Sequence, residues 1–373
     1  MPELSIIIDW FSPAYKAGGP IISVQNIADH LNDKFKIKIV CSNLDHDKTI
    51  LNVPQNRWVN RKGFQVFYAD SNFNSIKKVI DKSDVLFING IYSFQYNFLP
   101  VLGLKGRKII SVRGMLDPGG LSQKRLKKFL YLQIWKILGL HRKCEYHAST
   151  ETEKKYIQSV LGTHTKIWVI PNLPRLISYK TPLPKKRNAI ILCTVALIGT
   201  MKNHLLVLQS LQDCKAEVEY HIYGPVKEQN YWKLCLAVIA SLPANIRVHY
   251  RGHITPALVT DAIAKCHVYI QPSKSENFGH SLYDALSSGR PVITSHFTPW
   301  NKLEYDQAGK NVSINSTVEI TAAIDFFAAM DSGQLQVWSI QARNFALKAL
   351  DIEKIKTQYI NMFNGAENDK NTW

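Results

Sequence analysis

The 373-residue chain has no apolar run of the roughly 18 to 20 residues that a membrane-spanning helix needs. It has six cysteines, Cys41, Cys144, Cys193, Cys214, Cys235 and Cys266, but no Cys-x-x-Cys pair. Several lie inside apolar runs, which reads as buried free thiols of a reducing compartment rather than a disulfide framework. The start, MPELSIIIDWF, lacks the basic residues and cleavage site of a signal peptide and reads as a first β-strand. Acidic residues are scarce, 29 against 46 basic ones, which leaves a net charge of +17. That excess favours anionic partners: nucleic acid, phosphorylated ligands or a membrane surface. No recognised nucleic-acid motif accompanies it, so no nucleic-acid partner is expected. There is no internal repeat and no low-complexity block.

What is present is α/β texture. Apolar residues make up 46% of the chain, a globular share, and the length suits two domains. Strand-like runs such as KIKIVCS, DVLFING and KIISVRG alternate with helical segments, as parallel sheets require. Residues 1–172 read as a first Rossmann-like domain. The stretch 173–188, LPRLISYKTPLPKKRN, has three prolines, a basic cluster and no periodicity, and reads as a linker. A second Rossmann-like domain follows over 189–350. A C-terminal helix and tail, 351–373, can return to the first domain.

One stretch carries the most chemistry: SKSENFGHSLYDALSSGRPVITS, residues 273–295. Glu276 falls just past the strand HVYIQPS, where ligands sit in a doubly wound domain. Gly279, His280 and Ser281 then open a helix, whose free N–H groups and dipole suit a diphosphate. Asp284 lies eight positions after Glu276, further along that helix. Carboxylates are poor phosphate ligands and good acceptors for sugar hydroxyls, so the layout suits a nucleotide sugar. A loop cap and a solvated helix face would also account for the two acids.

This stretch resembles the signature of the retaining glycosyltransferases of family 4, whose GT-B architecture pairs two Rossmann-like domains with parallel sheets facing across a cleft. Pro272, Ser273, Glu276, Phe278, Gly279, Ala285, Gly289, Pro291, Val292 and Ile293 all fit it. Gly18 and Gly19 look like the family's loop over the donor diphosphate, IPN at 170–172 like its interdomain marker, and IYG at 222–224 like its mid-domain strand end. MKNH at 201–204 looks like its Lys-Asn, which would put Lys202 on the donor phosphates. Three positions depart from the pattern. Asp284 replaces a second glutamate, Leu197 replaces a common arginine, and Arg113 stands near a common histidine.

The resemblance implies retaining transfer from a nucleotide sugar, UDP-linked by preference, to a glycan or lipid-linked glycan in surface polysaccharide or lipopolysaccharide assembly. Glu276, Lys202 and Arg113 are then the expected catalytic residues. Gly18, Gly19, Lys202, Phe278, Gly279, His280, Ser281 and Asp284 are the expected donor contacts. The resemblance also implies no cofactor and no Asp-x-Asp metal site. Lys16 could meet phosphate or simply be solvated, and His147 reads as a satisfied structural histidine. Two rivals stay open: a nucleotide-sugar epimerase or hydrolase of the same architecture, and a non-catalytic nucleotide-sugar-binding partner in a polysaccharide assembly complex.

A last feature concerns location. In residues 122–143, Leu126, Phe129, Leu130, Ile134, Ile137 and Leu138 recur at helical spacing. Lys124, Arg125, Lys127, Lys128, Lys136, Arg142 and Lys143 surround them, with Tyr131, Leu132 and Trp135 off the stripe. An ordinary amphipathic helix packing on its own domain would account for the stripe alone, and a helix lying on an anionic leaflet for the cations with Trp135 and Leu132 as well. The expectation is a cytoplasmic enzyme, peripheral on the inner face of the plasma membrane.

Overall fold

The computed structural model describes residues 1–14, 18–70, 72–80, 83–122, 125–175 and 177–366; Lys16 and Lys124 lie outside the described residues. The chain divides into two compact units, Met1–Leu173 with Ile352–Trp373, and Pro174–Asp351. Each is built on a sheet of the doubly wound kind.

The first sheet has eight strands: β1 (Glu3–Ile7), β2 (Lys36–Ser42), β3 (Trp58–Arg61), β4 (Phe64–Ala69), β5 (Val85–Asn89), β6 (Arg107–Ser111), β7 (Glu145–Ala148) and β8 (Ile167–Val169). Their order is β3-β4-β2-β1-β5-β6-β7-β8. All pairings are parallel except β3 with β4, where Trp58 faces Phe67. Leu4, Ser5, Ile6 and Ile7 are buried on both faces of β1, the condition of a central parallel strand. The apolar pattern gives no strand at 58–69, yet a hairpin forms there. Its outer strand is the sheet edge, so Asn60 and Arg61 are exposed and break the alternation.

The terminal helix Ile352–Asn364 buries Ile355, Tyr359, Met362 and Phe363. Phe363 meets Phe87 edge-on at 5.3 Å, and Tyr359 bonds to His147 at 3.2 Å. His147 is fully enclosed. Its Nδ1 pairs with Ser111 Oγ and its Nε2 with the Ile170 carbonyl, both at 2.9 Å. Burial, reinforced by Arg113, pushes its pKa down to about 3, so the ring is neutral and structural.

The helix Arg125–Ile137 packs by the residues that lie off its sequence stripe. Leu132 and Trp135 are buried, and Trp135 Nε1 reaches Tyr146 Oη at 3.3 Å. Leu126, Phe129, Leu130, Ile134 and Ile137 are left exposed, Leu126 at 72% and Ile137 at 81%, and Leu138 just beyond the helix is exposed too.

The second sheet is wholly parallel: β9 (Ala189–Val195), β10 (Glu217–Tyr223), β11 (Ile246–Tyr250), β12 (Val268–Gln271), β13 (Val292–Ser295) and β14 (Gly309–Val312), in the order β11-β10-β9-β12-β13-β14. Its direction of winding reverses between β9 and β12, which opens a crevice at their carboxyl ends. The proline-rich stretch before β9 is tied to this unit. Arg290 donates to the carbonyls of Lys180 at 2.6 Å and Thr181 at 3.3 Å, and buried Lys185 donates to the Ala328 carbonyl at 2.6 Å. All six cysteines are buried free thiols.

Candidate active site

The chain leaving β9 makes a short turn, Thr200–Lys202, and Asn203 follows in the left-handed region with φ 60°. Asparagine tolerates that conformation better than most residues. Its Nδ2 donates to the Ile314 carbonyl at 3.1 Å, which pins the turn. The chain leaving β12 reaches Glu276 five residues later. Lys274 N donates to the Met201 carbonyl at 2.9 Å and stitches the two loops together.

Lys202 and Glu276 therefore meet. Lys202 Nζ donates to Glu276 Oε1. Gln271 Nε2 and Ser273 Oγ donate to the same oxygen, each at 2.9 Å. Oε2 takes no bond among the described residues. Gln271 is itself fixed, because Tyr269 Oη and Ser281 Oγ donate to its Oε1 at 2.7 and 3.1 Å. The result is a carboxylate locked by one oxygen, with the other left for a ligand.

Gly279 sits at φ 73° and caps the helix His280–Ser287. A Cβ there would be 2.9 Å from Leu282 Cδ1 as well as strained, so glycine is required. The Phe278 ring is buried and meets Trp300 edge-on at 5.6 Å; the Phe278 carbonyl accepts from Trp300 Nε1 at 2.7 Å. What Phe278 offers the helix start is rigidity. His280 is half-buried against Phe278, with ring centroids 4.7 Å apart.

Asp284 is placed differently. It is 3% exposed, and its nearest cation is Arg175, Nη1 to Oδ2 at 3.9 Å. Burial lifts its carboxyl to about 6, with Arg175 opposing. Among the described residues no hydrogen bond or ion pair joins it to the Lys202–Glu276 group. Three further expected residues belong to the first unit. Gly18 (φ 78°) precedes the helix Gly19–Leu31. Arg113, at φ 57°, gives its guanidinium to Asn89 Oδ1 at 3.0 and 3.1 Å and to Asn172 Oδ1.

Sequence reasoning missed Gln271 and Lys274, and placed Ser273 in the family signature without giving it a role. Their signal was adjacency to Glu276 in QPSKSE, which shows proximity without showing which side chains turn inward. Asp45-His46-Asp47 does spell Asp-x-Asp. Asp45, however, accepts from the His46 N–H at 2.6 Å, and Asp47 accepts from the Thr49 hydroxyl at 2.8 Å, as turn residues do. Among the described residues no group of three His, Cys, Asp or Glu could hold a metal.

A pinned carboxylate, an ammonium and an open helix start can together hold a phosphorylated polyol. Comparison with known proteins points the same way. Residues 178–327 match the family described as glycosyl transferases group 1. No curated protein matches the chain by sequence. Among solved structures, sucrose-phosphate synthase from Thermosynechococcus elongatus superposes with TM-score 0.76 at 15% identity, covering 98% of this chain and 99% of that one. Anabaena HepE in complex with UDP-glucose gives 0.71 at 15% identity over 97% and 99%. WaaG, a glycosyltransferase involved in lipopolysaccharide biosynthesis, gives 0.60 at 12% identity over 97% and 100%. At such identities the likeness is one of fold.

Proposed function

We propose that the chain, whose residues 178–327 match the glycosyl transferases group 1 and whose two units have the GT-B fold, is a retaining enzyme moving a sugar from a UDP-sugar to a glycan or lipid-linked glycan acceptor, in surface polysaccharide or lipopolysaccharide assembly. The observation that carries this reading is Glu276, held on Oε1 by Lys202, Gln271 and Ser273 beside an open helix start. In this reading the start of the helix His280–Ser287, with Lys202, binds the diphosphate. They stabilise its charge as the glycosidic bond breaks. Glu276 Oε2 accepts a hydroxyl of the transferred sugar, and Asp284 a ribose hydroxyl. Gly18 and Gly19 are assigned to the donor by family resemblance, and Arg113, which stands near the family's histidine, is assigned a catalytic role on the donor or the acceptor. The donor phosphate helps deprotonate the acceptor, so no side chain is assigned as general base.

The test is a thermal-shift panel of nucleotide sugars followed by transfer to lipid-linked acceptors. A UDP-sugar is expected to raise the melting temperature most, since a ligand of the folded state stabilises by mass action. Absence of any shift, or donor turnover with no transfer to any acceptor, would count against the reading.

The place of action in this reading is the inner membrane face, with the protein peripheral. No helix among the described residues is long and apolar enough to cross a membrane. The exposed apolar stripe of Arg125–Ile137 supports the idea, with exposed Arg125, Lys127 and Lys136 beside it and Arg142 and Lys143 just beyond. Flotation with liposomes should require anionic lipid and weaken as salt rises. Changing Arg125, Lys127 and Lys136 to glutamine should release the protein. Equal binding to neutral and anionic vesicles would refute the electrostatic part.

A further inference from the structure

Three strands of the first sheet end around one arginine. Asn89 closes β5, Arg113 follows β6 and Asn172 follows β8. The parallel register brings two of these ends side by side, since Asn89 faces Ser111 across the β5–β6 ladder. Asn172 is held by its neighbours: Ile170 N donates to the Ala148 carbonyl at 2.9 Å, and Asn26 Nδ2 to the Leu173 carbonyl at 2.9 Å. Arg113 itself lies in the left-handed region at φ 57°, a strained place for a residue of its size. The turn is kept by Gly114 N, which donates to Glu153 Oε1 at 2.5 Å, and by Met115 N, which donates to the Val112 carbonyl at 3.2 Å.

The arginine has donors to spare and no counter-ion. Three of the N–H groups of its guanidinium are engaged: Nε and Nη2 on Asn89 Oδ1 at 3.1 and 3.0 Å, and Nη1 on Asn172 Oδ1. A guanidinium has five, so one N–H on each Nη takes no bond among the described residues. Both partners are neutral amides, and among the described residues no acid pairs with Arg113. Burial pulls its pKa down, with Tyr359 and Glu153 opposing. The oxygens of Glu153 are already taken, by Gly114 N, by Ser149 N at 2.6 Å and by Ser149 Oγ at 2.8 Å. Asn89 adds a second unmatched donor. It is 3% exposed, the two Arg113 bonds on Oδ1 fix which way its amide faces, and its Nδ2 is buried without an acceptor. Buried N–H groups are rarely left unmatched, and a half-buried charge calls for an opposite one. Every group in want of a partner here is a donor, and one of them is a cation that a ligand can reach.

We propose that Arg113 and Asn89 bind the carboxylate of a uronic acid, so that one of the two sugars the enzyme joins is a hexuronate, an inference resting on the glycosyltransferase reading above. The chemistry discriminates. A neutral pyranose brings hydroxyls that accept from these donors but leave the charge unanswered. A phosphate dianion brings two charges against a single cation. A carboxylate is planar and singly charged, and its two oxygens offer acceptors to both Nη groups and to Asn89 Nδ2. It belongs either to the transferred sugar or to the acceptor, and two arms of the test separate these sources.

The donor arm compares UDP-glucuronate with UDP-glucose on the full chain by calorimetry. The acceptor arm keeps UDP-glucose as donor and compares methyl glucuronide, methyl glucoside and glucose 6-phosphate by kcat/KM. In one arm the uronate should be preferred by at least about tenfold, as charge-assisted hydrogen bonds imply. Arg113→Gln should erase that preference, and Arg113→Lys should keep about threefold of it, because it holds the charge without the fork. Asn89→Asp covers the case in which the arginine variants fail to fold. It gives Arg113 a carboxylate of its own with the same shape, so this variant should melt above the wild type and lose the uronate preference. A structural role alone would instead weaken the uronate and the neutral sugar equally, and that result overturns the proposal. So does the absence of a uronate preference in both arms, or a preference for glucose 6-phosphate. Ligand-observed NMR with the two methyl glycosides and no nucleotide keeps the two readings apart. Glucuronide binding that is lost in Arg113→Gln supports this site even if no nucleotide sugar binds. Turnover of UDP-glucose with no uronate preference anywhere leaves the glycosyltransferase reading standing and refutes this one.

Discussion

Replacing Lys202 by alanine separates a catalytic role from a structural one. Its ammonium lies on Glu276 Oε1, and the two side chains are 25% and 11% exposed. Without it, Oε1 keeps Gln271 and Ser273, so the carboxylate is not stranded. A partly exposed pair with other donors in place contributes about 1 kcal/mol to stability, which lowers the melting temperature by about 2–4 °C in a unit of this size. If Lys202 also carries charge on the departing diphosphate, its loss removes about 2–4 kcal/mol of transition-state stabilisation, or about 30- to 900-fold in kcat/KM. The assay is steady-state transfer at saturating acceptor, run beside thermal melting. Lys202→Arg should recover part of the rate, since it keeps the charge and changes its geometry. A Lys202→Ala enzyme within about threefold of the wild type would refute the reasoning, and the pair would then be an ion pair that fixes a loop.

Glu276→Ala should lower transfer by at least about 100-fold, while UDP itself still produces most of its thermal shift. A folded Glu276→Ala protein with wild-type rates would remove the sugar from its proposed place. Asp284 gives a pH signature. Its folded pKa of about 6 lies above the ordinary value near 3.8, so between about pH 4 and 6 the folded chain keeps a proton that the unfolded chain releases. Stability conferred below that window is therefore lost as pH rises through it, by about 2–3 kcal/mol. Asp284→Asn should flatten this dependence in denaturant titrations and weaken nucleotide binding about tenfold; an unchanged pH slope would refute the assignment. Lys274→Ala should lower donor affinity about fivefold if Lys274 supplies the charge missing at Leu197, and leave it unchanged otherwise. Rates should survive EDTA, and strict dependence on Mn²⁺ or Mg²⁺ would count heavily against the mechanism.

The sequence by itself determined the α/β class and the spans of its buried strands, because a parallel strand such as β1 or β13 must be apolar on both faces and that leaves a continuous run to read. It also singled out Glu276, Lys202 and Gly279 one by one as candidates, since strand ends and helix starts are local features. It could not bring Lys202 to Glu276, 74 residues apart. That meeting follows from β9 and β12 lying side by side, a pairing made by backbone hydrogen bonds that no side-chain pattern encodes. Edge strands escaped it for the opposite reason. In β3 and β14 the partner strand supplies the order, so their own residues need not alternate. The orientation of Arg125–Ile137 was likewise a tertiary matter. Two apolar faces compete on that helix, and Trp135 wins the core because its indole packs against Phe98 and donates to the Tyr146 hydroxyl. The six-residue stripe is left outside.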